Sequence, residues 1–299
     1  MTEPTTAPFV SIIIPVFNDV ERLALCLAAL EAQTYPADRY EVVVVDNGSA
    51  ASPASATAGY PHTRYFVETR KGSYEARNRG LSEAKGEFIG FTDSDCIPSP
   101  DWIERGVDAI ARTPNAGLIA GHIDVFFRDP ARPTPTELFE SLYAFPQPMY
   151  VAESRYGVTA NVFTRRAVLD AVGAFDASLQ SGGDREWGNR VDAAGYALVY
   201  AEDVRVAHPA RHALPELLEK ARRVITGDHA IKKNRGWRRR QFIRSIWKEF
   251  VPPVQRTLAI YRNPQLPGCR AKTSVAGVLL AVRYTRALQR LWLWLRDLT

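Results

Sequence analysis

Two carboxylates separated by a single residue are the clearest chemical feature in the first third of the chain. Asp93 and Asp95 directly follow Glu87-Phe-Ile-Gly-Phe-Thr92, an apolar run typical of a strand. Carboxylates with this spacing at a strand end can converge on one hard divalent cation, which a departing diphosphate requires. Because Asp-x-Asp is common in loops by chance, its position after a predicted strand gives the pair its weight. We therefore expect a divalent-metal site here.

A second acidic cluster, Gly182-Gly-Asp-Arg-Glu186, lies on a glycine-rich turn much later in the chain. Glycines let the backbone come close to a ligand, so this turn can aim Asp184 into a cleft. His208 follows another apparent strand within Val206-Ala-His-Pro209, where a lone histidine is more often structural.

The elements that must position these residues form a wound α/β sheet. Short β-branched runs alternate with helical patterns, and continuous apolar strands such as Val42–Val45 belong in a sheet covered on both faces. Ligands bind at the carboxyl ends of such strands. Asn18 and Asp46, which follow the first two strands, are therefore candidates, although a capping box of Asn18 with Glu21 and a turn at Asp46 explain them equally well.

The second half of the chain is less regular. Residues 121–160 carry prolines and aromatics with weak periodicity, so we expect loops and extended segments around a binding cleft there. Thr164–Val172 has a helical pattern that Gly173 should end. From Leu214 the pattern is helical again.

Composition separates an acidic body from a basic tail. The 299 residues are 46% apolar and 24% charged, which excludes disorder as the dominant state. Residues 211–299 hold 20 Lys/Arg against 5 Asp/Glu, a net charge of +15, whereas residues 1–210 carry −10. The tail should therefore meet an anionic partner, either phospholipid head groups or nucleic acid.

The last helical segment is amphipathic. One face carries Ala281, Tyr284, Leu288, Leu291 and Leu295, and the opposite face carries Arg283, Arg286 and Arg290. Its longest apolar run, Val275–Val282, is too short to cross a bilayer, so the segment could lie on a membrane, with Trp292 and Trp294 at the head groups. A helix packed on the body with a solvated basic face is an equal alternative.

The chain start and the cysteines exclude other classes. Met1–Val10 has neither the basic region nor the long apolar stretch of a secretion signal, so we expect a cytosolic start. Cys26, Cys96 and Cys269 are odd in number and lack metal-ligand spacing. They indicate neither a disulfide framework nor a zinc site, and packing roles are expected.

The order of short motifs resembles that of family 2 glycosyltransferases over about residues 8–210. The matching segments are Phe9-Val-Ser-Ile-Ile-Ile-Pro-Val-Phe-Asn18, Val44-Val-Asp-Asn-Gly-Ser49, Ala76-Arg-Asn-Arg-Gly80, Asp93-Ser-Asp95, Thr159-Ala-Asn161 before Arg165-Arg166, Gly173-Ala-Phe-Asp176 and Gly183-Asp-Arg-Glu186. The resemblance implies a GT-A fold with a wound mixed sheet. A catalytic domain would span residues 1–213, with a nucleotide-binding half at 8–115 and an acceptor half at 116–213. A basic helical extension would span 214–299.

The resemblance also implies site roles. Asp184 would be the general base, and Asp95 with His208 would hold Mn²⁺ or Mg²⁺. Asn161, Glu186 and Trp187 are acceptor candidates; Trp187 would stack on a sugar, although large aromatics are more often core. Nucleotide-sugar binding would use Pro15, Phe17, Asn18, Asp46, Arg77, Asp93, Ser94 and Asp95. Among these, Pro15, Phe17 and Asp46 would hold the base, Arg77 would approach the phosphates, and Asp93 would reach the ribose or sugar.

The resemblance implies transfer of a sugar from a nucleotide sugar, preferably a UDP-sugar, to a glycan or lipid-linked acceptor. The configuration of the anomeric carbon would be inverted. The enzyme would be cytoplasmic and peripheral at the inner face of the membrane, and nucleic acid is an unfavoured partner. Gly183 stands where the family commonly has Glu, which weakens the acceptor assignment. The Gln-x-x-Arg-Trp motif and transmembrane helices of processive members are absent, so single-sugar transfer is expected. The alternatives are a sugar-nucleotide nucleotidyltransferase, disfavoured because the first strand lacks a glycine-rich phosphate loop, and a non-enzymatic module driven by the tail.

Overall fold

An eight-stranded mixed sheet organises the first part of the molecule. The computed structural model describes residues 7–298; the predicted cytosolic start at residues 1–6 and the final residue lie outside the described residues. The strand order is β3-β2-β1-β4-β7-β6-β8-β5. The strands are β1 (Val10–Val16), β2 (Tyr40–Asp46), β3 (Thr63–Val67), β4 (Phe88–Thr92), β5 (Ile97–Pro98), β6 (Ala116–Phe126), β7 (Asn161–Arg165) and β8 (Ala197–Pro209).

The described residues also form twelve helices. They are α1 (Val20–Glu31), α2 (Ala54–Thr57), α3 (Ser73–Glu83), α4 (Trp102–Arg112), α5 (Pro135–Tyr143), α6 (Gln147–Met149), α7 (Arg166–Val172), α8 (Gly183–Ala193), α9 (Leu214–Asn234), α10 (Arg239–Phe250), α11 (Val254–Arg262) and α12 (Gly268–Arg296). A 3₁₀ turn at Ala37–Arg39 and a π-helical turn at Tyr150–Ser154 complete the set.

The parallel half of the sheet confirms the predicted wound arrangement. β1 lies between β2 and β4, and β3 pairs with β2, all in parallel. The register places Val16 beside Asp46 and Asp46 beside Val67, so the ends of three strands meet at one edge. Val42–Val45 are buried, as their continuous apolar character predicts for a sheet covered on both faces.

The antiparallel half differs from the sequence prediction in one strand. Asn161–Arg165 forms β7, antiparallel to β4 and to β6, and the helix begins at Arg166 rather than at Thr164. Val162 and Phe163 are fully buried between their neighbours, so strand pairing decides the conformation of this short segment. Gly173 ends α7 at φ +83°, which confirms the predicted stop.

The predicted capping box at the start of α1 is wrong. Asp19 occupies the N-cap position and makes no side-chain cap hydrogen bond. Asn18 instead has φ +52°, and its Oδ1 accepts a hydrogen bond from the Ala50 backbone amide at 2.8 Å. The backbone amide of Asn18 donates a hydrogen bond to Ser49 Oγ at 2.8 Å. Asn18 therefore ties the end of β1 to the turn that follows β2.

The described chain divides into two compact units, with residues up to 124, 145–179 and 183–208 in the first. Its core gathers apolar side chains from β1, β2, α1 and α4, among them Ile12, Ile14, Leu27, Trp102 and Ile103. Among the described residues, the second unit comprises 125–144, 180–182 and 209–298. Residues 125–144, which the sequence analysis placed in the acceptor half, thus group with the C-terminal helices.

The second unit is helical, as expected from Leu214 onward, and its core is built on α12. Val275, Val278 and Leu279 are buried with Leu217 of α9 and Leu138 of α5. Helix α5 was missed within the segment predicted as loops, and it begins with a capping box. The Thr134 hydroxyl accepts a hydrogen bond from the Glu137 amide, and the Glu137 carboxylate accepts one from the Thr134 amide. Within residues 7–298 we find no helix with the length and apolar character needed to span a bilayer.

The sequence analysis offered, as an alternative to a membrane-bound helix, a packed helix with a solvated basic face. The basic face of α12 is not solvated in this way. Arg290 is buried, and its guanidinium contacts the Asp228 carboxylate at 2.6 Å. Arg286 contacts Glu249 at 2.9 Å. The arginine side of the helix therefore packs against acidic residues of α9 and α10.

Candidate active site

The turn after β4 sends its two carboxylates to different partners. The Asp93 carbonyl accepts a hydrogen bond from the Cys96 amide at 3.1 Å, which closes the turn, and Ser94 is buried within it. The Asp93 carboxylate contacts the Arg77 guanidinium. The Asp95 carboxylate lies 3.6 Å from Nε2 of His208 and 3.6 Å from the Arg22 guanidinium. The two aspartates of this turn thus contact different partners.

Asp95, Cys96 and His208 form a group that could hold a metal ion. Their ligand atoms all lie within 4.8 Å of one another. The pairing of Ile97 with Ala207 brings β5 and β8 together and explains how residues so distant in sequence meet. The His208 ring is 5% exposed and packs on Phe145 with ring centroids 4.6 Å apart. A carboxylate oxygen and an imidazole nitrogen fit Mn²⁺ and also suit Mg²⁺ through the oxygen.

Cys96 was predicted to be a packing residue, and the structure places it beside the candidate metal ligands as well. Its side chain is fully buried, and burial raises the pKa of the thiol well above its ordinary value. A neutral thiol is a weak ligand for hard cations. Cys26 and Cys96 are free and buried, and Cys269 is free and exposed.

Arg77 is a buried cation with an unused donor. It lies on α3, is 4% exposed, and its guanidinium sits 5.7 Å from the centre of the Tyr74 ring. Its Nε is buried and lacks a hydrogen-bond partner among the described residues. An unsatisfied buried donor costs free energy, so an anionic ligand that accepts from Nε would be stabilised here. A phosphate oxygen has the required chemistry.

Asp184 lies in the first turn of α8, next to the pair formed by Arg77 and Asp93. Gly183 lets the turn approach Tyr74 closely, because a Cβ at Gly183 would lie 2.7 Å from that ring. The Asp184 Oδ1 accepts hydrogen bonds from the Arg185 amide at 2.9 Å and from the Tyr74 hydroxyl at 3.4 Å. These contacts fix the direction of the carboxylate.

The environment makes Asp184 a stronger base than an exposed aspartate. Burial is the main cause that raises its pKa above the ordinary value of 3.8. The negative charge of Asp93 adds to this effect, while the Arg185 amide and Arg77 oppose it without cancelling it. A carboxylate that holds its proton more tightly is better suited to accept one from an alcohol.

The predicted base-binding residues lie at the shared edge of β1 and β2. Pro15 is half-buried, Phe17 is exposed, and Asp46 is buried. Asp46 accepts hydrogen bonds from the Ser49 amide at 2.9 Å and from the Tyr65 hydroxyl at 3.1 Å, one on each oxygen. Each carboxylate oxygen accepts more than one hydrogen bond, so Asp46 retains capacity for a ring N–H.

Asn47 is a residue of this edge that the sequence analysis did not single out. Its amide nitrogen donates to the carbonyls of Glu68 and Arg70 at 3.1 and 2.7 Å. Its Oδ1 accepts from the Gly72 amide at 2.7 Å. Asn47 thereby fixes the loop that leads into α3 and to Arg77. Its place in the motif after β2 was the available signal.

The three acceptor candidates have structural partners in this conformation. Asn161 is fully buried, and its carboxamide bonds Trp102 and the carbonyls of His122 and Val204. Trp187 is 1% exposed, so it presents no face on which a sugar could stack. Glu186 forms two hydrogen bonds with Arg190, at 2.8 and 2.9 Å. Their acceptor roles stay predictions, and the geometry gives Asn161 and Trp187 packing functions.

An aromatic pair near Asp184 was missed. Tyr150 and Tyr156 stack with ring centroids 4.7 Å apart, and the Asp184 charge helps to raise the pKa of Tyr156, after burial and Tyr150. The π-helical turn Tyr150–Ser154 and the left-handed Arg155, at φ +55°, shape this segment. It lies in the stretch that the sequence analysis expected to surround a cleft.

Comparisons with known proteins decide the family. The model for glycosyl transferase family 2 matches residues 11–173. The glycosyltransferase AglE of Haloferax volcanii is 38% identical over 249 residues, which cover 81% of each chain. The chain belongs to glycosyltransferase family 2. The resemblance in the order of motifs is thereby confirmed.

Solved structures agree on the fold of this family 2 member. Mannosyltransferase PcManGT from Pyrobaculum calidifontis, solved with GDP-Man and Mn²⁺, has a TM-score of 0.66 at 22% identity and covers 97% of this chain and 88% of its own. S. aureus TarS 1–349, solved with UDP, has a TM-score of 0.55 at 19% identity and covers 73% of this chain and 65% of its own. The predicted GT-A class with a helical C-terminal part is confirmed.

Proposed function

We propose that this family 2 glycosyltransferase inverts the anomeric carbon of a nucleotide-diphosphate sugar while transferring the sugar to a hydroxyl acceptor. The carrying observation is the position of Asp184, a carboxylate with a raised pKa, beside the Arg77–Asp93 pair. A base on one side of the sugar and a cation at the leaving phosphates are what a single displacement needs.

The donor would bind along the carboxyl ends of β1, β2 and β4. Asp46 would accept a ring N–H of the base, with Pro15 and Phe17 as its apolar surroundings. The unused Nε of Arg77 would donate to a phosphate oxygen. Asp93, held by Arg77, would face the ribose or the sugar. PcManGT was solved with GDP-Man and TarS with UDP, which supports a nucleotide donor of either base; we favour UDP.

Asp95 and His208 would hold Mn²⁺ or Mg²⁺. When bound, the ion would supply positive charge at the diphosphate as it leaves. The donor set supports this assignment, as does the Mn²⁺ in the PcManGT complex. The protein residues would orient the donor so that its anomeric carbon faces the acceptor hydroxyl, from which Asp184 would take the proton.

The acceptor would be a hydroxyl of a glycan or of a lipid-linked sugar. The stacked Tyr150 and Tyr156 offer an aromatic surface near Asp184 on which a sugar ring could pack. We further propose that the enzyme works as a peripheral protein at the inner face of the cell membrane, because the C-terminal helices carry the basic charge of the chain.

A panel of nucleotide sugars tests the donor assignment. We expect release of nucleoside diphosphate with one UDP-sugar, stimulated by Mn²⁺ and abolished by a chelator. Transfer to a soluble sugar acceptor should give a product whose anomeric configuration, read by NMR, is opposite to that of the donor. Retention of configuration would contradict the role of Asp184, and chelator-resistant turnover would contradict the metal.

A further inference from the structure

Helix α12 exposes a continuous apolar stripe. Leu288 and Trp292 are 59% and 53% exposed. The spacing of three and four residues places all its members on one side of the helix. They are Leu280, Tyr284, Leu288, Trp292 and Leu295. The helix therefore leaves this apolar stripe exposed, although it also buries apolar side chains such as Val275 and Leu293 on another side.

The rotation of α12 is fixed by buried ion pairs on its other side. Arg290 reaches Asp228 at 2.6 Å and Glu249 at 3.6 Å. Burial alone would raise the pKa of Asp228, but Arg290 and Lys232 outweigh it and hold that pKa at about 2. Turning the helix over would leave Glu249 largely buried without its arginine partners and Asp228 with Lys232 alone, at a large cost. The exposure of the apolar stripe therefore follows from the packing of this unit.

Helix α10 repeats the pattern with basic neighbours. Ile243 and Trp247 are exposed at a spacing of four residues, and Trp247 is 68% exposed. A row of exposed basic residues with the same spacing of four lies next to them: Arg240, Arg244 and Lys248. An apolar stripe beside a basic stripe, with tryptophan among its members, is the composition of helices that lie in a membrane interface.

We infer that the exposed stripes of α10 and α12, with the basic stripe of α10, form a lipid-binding surface that inserts into the interface of an anionic phospholipid bilayer. This inference rests on the proposed peripheral membrane association and specifies its residues. It also separates two sets of cations. Arg283, Arg286 and Arg290 hold the helices together, while Arg240, Arg244 and Lys248 meet lipid phosphates.

Charge selects a bilayer over other occupants. Residues 211–299 carry a net charge of +15, so two copies of this surface would repel each other. A nucleic acid would neutralise the arginines but leave Leu288 and Trp292 in water. An anionic bilayer accepts both, because its phosphates attract the basic stripe and its acyl chains receive the apolar stripes.

Point variants of the full chain test the surface better than truncation does. Removal of α12 would delete Val275 and Leu293, which are fully buried, so a truncated chain is expected to misfold. We would compare Leu288→Ser/Trp292→Ser with Arg240→Glu/Arg244→Glu. The matched control is Leu25→Ser, which changes a leucine of α1 that is also 59% exposed.

Co-sedimentation with vesicles of phosphatidylcholine, with and without phosphatidylglycerol, is the readout. The apolar variant should bind anionic vesicles about tenfold or more weakly. In the charge variant, the affinity for anionic vesicles should fall about fivefold per substituted residue, and the preference for anionic over neutral vesicles should be lost. Leu25→Ser should bind as the wild type does. Brominated acyl chains should quench the fluorescence of the wild type and quench Trp247→Phe/Trp292→Phe less.

Each contrary result has a distinct meaning. If the wild type ignores anionic vesicles at low salt, both the peripheral proposal and this inference are wrong. If it binds but the apolar variant binds equally well, the association stands and the surface assignment is wrong. If the apolar variant instead converts a dimer to a monomer in sedimentation velocity without changing vesicle binding, a second copy covers the stripe and the inference is wrong. Donor hydrolysis, measured in every variant, reports the proposed chemistry separately.

Discussion

Asp184→Asn separates proton transfer from every other contribution of this residue. Asparagine keeps the Oδ1 that accepts from the Arg185 amide at 2.9 Å, so the side chain should hold its direction. It cannot accept the proton of the acceptor hydroxyl. Loss of a positioned general base lowers a rate by roughly 10²–10⁴-fold, which is about 3–5 kcal/mol of activation free energy.

The substitution should not destabilise the fold. The pKa of Asp184 is raised above 3.8 in the folded state. At a pH just above 3.8, Asp184 is therefore still protonated in the folded protein but ionised in the unfolded chain. The free energy of unfolding of the wild type therefore falls as the pH rises from there through the folded pKa. Asparagine does not titrate, so the variant should be at least as stable as the wild type at neutral pH.

Single-turnover transfer with bound donor is the appropriate assay, because it isolates the chemical step. The wild-type rate should fall as the pH drops through the raised pKa of Asp184. The slow residual rate of the variant should not show this decrease at low pH. Donor affinity, measured by calorimetry, should be unchanged. Asp170→Asn is the control, since Asp170 is an exposed carboxylate of α7 outside the site and should change the rate little. A near-wild-type rate in Asp184→Asn, or a loss of donor affinity, would refute the assignment.

Three further substitutions examine the remaining parts of the site. Asp95→Ala should abolish the Mn²⁺-dependent gain in donor affinity, because a hard cation loses an anionic ligand; calorimetry with unchanged metal dependence would exclude Asp95. Arg77→Lys should weaken nucleoside diphosphate binding by about tenfold, because a lysine ammonium cannot both contact Asp93 and donate from a position equivalent to Nε, as the guanidinium can. Equal affinity would contradict this role. Gly183→Ala should destabilise the fold by about 1–3 kcal/mol in urea unfolding, because its Cβ meets the Tyr74 ring at 2.7 Å; an unchanged midpoint would show that the ring yields freely.

The parallel half of the sheet could be predicted because the residue pattern of its strands indicates whether their faces are buried. Val42–Val45 have no polar face, and only a strand covered on both sides needs such a run. β7 could not be predicted in the same way. Five residues that lead directly into a helix carry too short a pattern, and their strand conformation depends on β4 and β6, which are distant in sequence.

Periodicity found both faces of α12 but could not say which one is buried. The usual assumption places the apolar face inward. Here Asp228 and Glu249, more than thirty residues earlier in the chain, provide buried partners for the arginines. A pairing between distant residues is invisible to a helical pattern, so the orientation required the structure.

The charges around the turn after β4 explain why a cation is expected at Asp95 rather than at Asp93. Arg77 already contacts Asp93, so that carboxylate has a buried counter-charge. Asp95 shares Arg22 with Asp19, each at 3.6 Å, and burial together with the Asp95 charge raises the pKa of Asp19 despite Arg22. One half-exposed guanidinium thus leaves two neighbouring carboxylates incompletely neutralised. A divalent cation at Asp95 would supply the missing charge, in keeping with the roles that the family resemblance implied for Asp95 and Asp93.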